Sequence, residues 1–307
     1  MPKAAVTVAP VLSHCALLCL LTLSCAAQSE VQPRGSGDVT FFGQEISHRA
    51  VILSDGSKAP GGRAFNRSIA VEMDYGLTER LSMTVGIPYV FGKYTDSILP
   101  PAPVSPRDAC HCLQSDWQDF GLSARYRIYG SRRMAVTPSA SLGLPSHNYE
   151  YRGESVAGRH LRELTLALNA TRRLDFLSRN ATFSARYSYS VVEKVFDIST
   201  NRSNLTLEGD YMLRRKLTLR GIVLVQRTHG GLRLFEINSE ELALQRDRLL
   251  RDNNFRAGAG MAYSFSRMQL LGSIIFHVTG TDTHAENIVT VGVRFPFQFR
   301  YRSPSNQ

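Results

Sequence analysis

The chain has 307 residues, 43% of them hydrophobic, and a formal net charge of +10 from 36 Lys and Arg against 26 Asp and Glu. A basic balance suits nucleic acid when the cations form a stripe, but here they are spread through turns, loops and one strand face, so no nucleic-acid partner is expected. Three of the five cysteines, Cys15, Cys19 and Cys25, lie in the leading segment, and the remaining Cys110 and Cys112 make no disulfide framework.

The chain begins with Lys3 and an apolar run from Val11 to Leu23, followed by Ser24, Cys25, Ala26 and Ala27. This has the form of a secretory signal peptide, residues 1–27, cut after Ala27. A lipoprotein signal at Cys25 is the alternative, with Thr22 where such signals usually carry an aliphatic residue. Beyond it no apolar stretch approaches the roughly 18 residues of a helical span, so membrane insertion has to use strands. No Pro/Ser-rich linker divides residues 28–307, which read as one domain.

In chain order, Val39–Val51 is the first predicted strand, followed by a Gly/Pro-rich connection through Asp55, Gly56, Pro60, Gly61 and Gly62. Ile69, Val71, Met73 and Tyr75 then alternate with Ala70, Glu72 and Asp74, and a short turn leads to Leu81, Met83, Val85, Ile87 and Tyr89, an antiparallel hairpin. The stretch from Gly92 to Trp117 carries Pro100, Pro101, Pro103 and Pro106 and cannot form a ladder. Alternation resumes over 117–129, 136–144, 164–171, 181–189 and 205–212. The strand at 217–226 is less regular, since Ile222 and Leu224 sit on the face shared with Thr218, Arg220 and Gln226. Between Gly230 and Asn253 the run from Asn238 to Arg251 reads as one capped amphipathic helix folded over a loop or barrel mouth. Strands at 255–265, 268–276 and 289–297 follow, the last two joined by a connection near 280–286.

These are about twelve strands whose connections alternate short and long, the grammar of an antiparallel transmembrane β-barrel with short periplasmic turns and long extracellular loops. Tyr and Phe recur near strand ends, as interfacial girdles require. A soluble β-sandwich also alternates with period two, but with shorter strands and without the girdles. The segments YGLTERLSMTVGIPYV, DFGLSARYRIYG and SASLGLPSHNY resemble the outer-membrane proteins grouped as the MetA-pathway of phenol degradation family, over about Phe65 to Phe297. Where members often read Leu-Pro-Thr-Gly, this chain has Leu144, Pro145, Ser146 and His147. The resemblance implies an outer-membrane channel for aromatic or other hydrophobic compounds, and it supplies no catalytic residue.

If the apolar parity faces outer-membrane lipid, the other lines a lumen and carries Glu72, Asp74, Arg125, Arg127, Arg186, Glu208, Asp210, Arg220, Arg256 and Arg294. These charges either line a pore or brace the interior as salt bridges, and opposite signs on facing strands favour bracing. Ile222, Leu224, Leu271 and Ile275 share the inward parity with Gly258, Gly260 and Ala262, which predicts an inward apolar trough with a small-residue floor. Its ligand would be a greasy small-molecule solute, and packing against a plug is the alternative. Cys110, His111 and Cys112 lack the further ligands of a zinc site, so neither a metal nor a cofactor is expected. The chain shows no Gly-x-Ser-x-Gly elbow and no paired carboxylates, and an enzyme is not expected. The expected function is an outer-membrane channel for small hydrophobic or aromatic solutes. A non-conducting, partner-binding barrel is the first alternative and an outer-membrane lipid hydrolase the second; the latter would need a Ser and a His within hydrogen-bonding reach.

Overall fold

The computed structural model describes residues 31–94, 113–152 and 158–299. The signal segment, the Pro-rich stretch and Cys110, His111 and Cys112 lie outside them. The described residues form one antiparallel sheet that closes on itself. Its wall strands are β1 (Ser36–Ile52), β2 (Lys58–Gly76), β3 (Leu81–Tyr94), β4, β5 (Met134–Leu144), β6 (Glu163–Arg173), β7 (Ala181–Val192), β8 (Thr200–Arg214), β9 (Leu217–Gly230), β10 (Asn253–Ser264), β11 (Gln269–Thr281) and β12 (Thr283–Gln298). β4 is laid down in three pieces, Gln114–Trp117, Phe120–Tyr126 and Tyr129–Gly130. Each strand pairs with its neighbours in sequence, and β12 pairs with β1 over nearly the whole length of both, so the sheet has no edge.

The alternation predicted from sequence sets the two faces. Ile69, Val71 and Met73 on β2, Val85 and Ile87 on β3, and Leu164, Leu166 and Leu168 on β6 are exposed on the outside, the apolar band expected of the outer face of such a barrel. Asp74, Ser82, Thr84, Thr165 and Asn169, on the opposite parity, are buried inside. Chain direction groups the turns at 77–80, 131–133, 174–180, 215–216 and 265–268 at one end, the periplasmic one, and at the other end the connections 53–57, 145–162, 193–199, 231–252 and Asp282.

Three boundaries differ from the sequence reading. The Gly/Pro-rich stretch is not a connection: β2 starts at Lys58, and the link from β1 is only 53–57. Pro60 is accommodated opposite Ala50, where the β1–β2 register shifts, so its missing N–H leaves no ladder gap. The connection predicted near 280–286 is the single residue Asp282, at φ 52°, because strands that run beyond the bilayer need no apolar alternation. The predicted helix over 238–251 is a 3-10 turn (Leu234–Glu236) and two short helices, α1 (Glu240–Leu244) and α2 (Arg246–Leu249). Ser239 caps α1 as its sequence suggests, its hydroxyl accepting from the Leu242 amide. The chain then breaks at Gln245 and turns Leu249 into the interior, fully buried.

Leu249 packs with Leu161, Val192 and Val195 from two other extracellular connections. Together these close a cap over the barrel mouth. Leu249→Ala is expected to cost the cap about 2–5 kcal/mol and to speed proteolysis of 231–252, while the barrel still resists unfolding by SDS without heat. An unchanged digestion pattern would show that the cap is held elsewhere.

Candidate functional site

The interior is built rung by rung, since residues paired across neighbouring strands share a height on the wall. One rung reads Ile46, Ile288, Ile275, Gly258 and Ile222 across β1, β12, β11, β10 and β9. With Leu224 from the next rung, its four isoleucines form one buried apolar cluster inside the barrel. Ile222, Leu224 and Ile275 were legible in the sequence as inward-facing; Ile46 and Ile288 were not singled out, although the inward parity of β1 and β12 carries them.

Below this rung lies a cavity of about 240 Å³ that is not uniformly greasy. Ile222, Leu224, Ala262, Leu271 and Ile275 line it together with Glu208, Asp210, Arg220 and Arg294. Gly258 and Gly260 do leave this side of the wall low, but for a backbone reason as well. A Cβ on Gly258 would stand 2.2 Å from the Ile274 carbonyl oxygen, and one on Gly260 2.9 Å from that of Gly272. Gly260→Val therefore forces β10 and β11 apart and is expected to impair assembly itself, seen as loss of the heat-modifiable folded band. A folded Gly260→Val barrel would show that β10 can shift freely.

A second cavity of about 140 Å³ lies on the β3–β6 side and is lined by Thr84, Gly86, Ser141, Thr165, Arg186 and Arg202 among others. Phe42 and Glu72 line both cavities, so Phe42, 7% exposed, stands as the partition between two chambers. Gly86 leaves room for Glu72, whose Cγ would lie 3.4 Å from an added Cβ.

The smaller chamber also reaches outward-facing Ile87, Phe120 and Leu122. Here the wall is irregular. Gly86 pairs with Gly121 and Tyr89 with Trp117, so β4 carries one residue more than β3 between those rungs. Pro88 at this point has no N–H to give, and its carbonyl accepts from the Gln118 amide at 3.0 Å.

The charged residues expected in the lumen are inward-facing and largely matched. Arg125 and Asp74 form an ion pair of 2.5 Å and are 2% and 4% exposed, with Thr84 hydrogen-bonded to both. Arg220 grips Asp210 through two hydrogen bonds, 2.6 and 2.9 Å, with Glu208 at 3.8 Å. Arg256 holds Glu286 at 2.6 Å, and Arg294 lies 3.8 Å from Asp38. Arg202 pairs with Glu163, a pair the sequence reading did not name. Arg127 departs from the expectation: it leaves the lumen face at the break before Tyr129, and its guanidinium donates to the Glu79 carbonyl at the periplasmic rim.

The extracellular cap is polar where it meets the chambers. Tyr149 donates to Asp119 at 2.5 Å and accepts from the His160 amide, while Arg248 stacks on Tyr151 at 4.2 Å. Arg159 donates to Thr200 and to the Arg248 carbonyl, both at 3.2 Å. Burial, reinforced by nearby Arg202, lowers its pKa to about 10, so it stays cationic at neutral pH.

Two Ser–His contacts bear on the hydrolase alternative. On the outer wall the Ser203 hydroxyl lies 2.7 Å from His229 Nε2, but it is shared with the Tyr187 hydroxyl, and His229 leans on Tyr189. This is a polar knot in the aromatic girdle, and the strand amides around it are used by the β-ladder rather than available to an oxyanion. In the loop after β5, His147 bridges Ser146 (2.9 Å) and Asp116 (3.2 Å). The Ser146 hydroxyl gives its proton to the Trp117 carbonyl at 3.1 Å, so the imidazole clamps the loop rather than deprotonating a nucleophile.

One cluster was missed entirely from sequence: His48, His284 and Glu286 meet inside the barrel just above the isoleucine rung.

No family model matches the chain, and no curated protein does. Among solved structures, an outer membrane channel from Pseudomonas putida F1 is similar over 88% of this chain and 98% of its own, with a TM-score of 0.69 at 13% identity. The translocator domain of the autotransporter NalP from Neisseria meningitidis matches over 91% and 93%, with a TM-score of 0.49 at 11% identity. The TodX monoaromatic hydrocarbon channel matches over 88% and 91%, with a TM-score of 0.46 at 10% identity. Of these, the Pseudomonas channel superposes well enough to establish a common architecture, and the chain has the fold of a closed, twelve-strand, antiparallel outer-membrane β-barrel.

Proposed function

We propose that this protein is an outer-membrane channel for passive passage of small hydrophobic or aromatic solutes, exported through a signal peptide cut after Ala27. The carrying observation is the buried isoleucine rung above a chamber whose lining combines apolar and charged side chains. An apolar ring system would lie against Ile222, Leu224 and Ile275, with any polar substituent toward Arg220 and Asp210. A cap over the mouth and inward-facing ion pairs along the wall disfavour a wide water-filled porin, and the irregular β3–β4 wall offers such a solute a way toward the apolar outer face. The architecture it has in common with the Pseudomonas channel and the resemblance of its strand-and-turn segments to the MetA-pathway family point the same way. A partner-binding role for 238–251 is less favoured, because Leu249 and Leu250 are buried in the cap.

The test is permeation through the refolded barrel in liposomes, comparing small phenols and benzoates with sugars of similar size. Faster entry of the aromatic solutes is expected. Equal rates would overturn the hydrophobic preference, and no permeation of either would overturn the channel.

A further inference from the structure

We propose that His48, His284 and Glu286 form a binding site for a divalent transition-metal ion of the zinc class, at the seam where the first and last strands close the barrel. One potential ligand atom from each of the three residues lies within 4.8 Å of the others. Two imidazoles and a carboxylate are a ligand set that zinc takes, with bonds of about 2.0–2.2 Å. Such bonds put tetrahedral donors roughly 3.3 Å apart, which small side-chain rotations supply from the observed spacing.

The convergence follows from an irregularity in the ladder. His48 pairs with Glu286, but the next pairs are Val51 with His284 and Ile52 with Thr283, so β1 has one residue more than β12 at this point. Bulges of this kind re-aim side chains and cluster at functional positions. Here the two imidazoles come face to face, 4.3 Å between centroids and 28° between planes, with Glu286 beside them. His48 and Glu286 are 7% and 3% exposed, so an ion held by them is largely shielded from bulk water.

The surroundings complete the set. Arg256 donates to Glu286 Oε2 at 2.6 Å and leaves Oε1 for the metal, the outer-shell hydrogen bond that ligating carboxylates generally carry. The charged groups facing the site are Arg246 and Arg256 against Asp247 and Asp252, two cations balanced by two anions around Glu286 and the imidazoles. An ion here ties β1 to β12 directly above the isoleucine rung and beneath the cap.

The experiment uses the untagged full-length barrel, folded in detergent and stripped with chelator. After zinc is added back, one zinc retained per chain on desalting is expected, together with visible absorption of tetrahedral intensity when cobalt(II) is added to the stripped barrel instead. Both readouts come from the unaltered protein and do not depend on any variant folding. The His48→Ala/His284→Ala double variant should weaken retention by more than the roughly 10–100-fold that loss of an outer-shell partner costs. Absence of stoichiometric zinc and of the cobalt spectrum in the unaltered barrel overturns the site, as does a folded double variant that retains zinc equally well. Permeation of aromatic solutes is not a readout here, so the channel and the metal site stand or fall separately.

Discussion

Replacing Asp74 with Ala is expected to lower barrel stability by about 3–5 kcal/mol, because it strands the Arg125 guanidinium inside the wall without its counter-charge. The two groups meet at 2.5 Å, almost wholly shielded, and Thr84 bonds to both. The urea midpoint of the barrel in lipid vesicles reads this directly. Removing both charges, as Asp74→Leu with Arg125→Met, should recover most of the loss, since a buried pair exchanged for apolar groups of similar volume is often neutral. A single variant with an unchanged midpoint would mean that lumen water screens the pair, and the bracing role would fall to the other ion pairs.

Phe42→Ala is expected to raise solute flux severalfold without loss of the folded barrel. Phe42 is the large side chain common to both chambers, and removing its ring joins the cavities of about 240 and 140 Å³ past Glu72. Because the ring already borders open space, the variant should cost less than the roughly 3–5 kcal/mol of a Phe→Ala change in a close-packed core. Single-channel conductance in a planar bilayer is the measurement. Conductance equal to that of the unaltered protein would place the permeation path away from Phe42.

The channel reading, the ion-pair bracing and the seam metal make a consistent picture of the interior. Charged pairs fix the wall at several heights, the isoleucine rung leaves an apolar surface where a solute can rest, and the cap covers the extracellular end. On the proposed reading, recognition of a solute would fall to Arg220, Asp210 and the apolar side chains beside them.

The sequence alone indicated about twelve wall strands, their order and, Arg127 apart, the face on which the named residues lie. Period two is a local property: Ile69, Val71 and Met73 announce a lipid face without reference to any other strand. The same locality made Ile222 and Leu224 visible as misfits on an otherwise polar parity. Tertiary structure decided everything that depends on register and closure. Ile46 and Ile288 lie 242 positions apart and become neighbours only because β12 pairs with β1. The bulge that gathers His48, His284 and Glu286, the extra residue of β4 opposite Pro88, and the break at Gln245 that buries Leu249 leave no periodic trace. A side chain's face is written in its own strand, but the company it keeps across the barrel is set by how twelve strands align when the sheet closes.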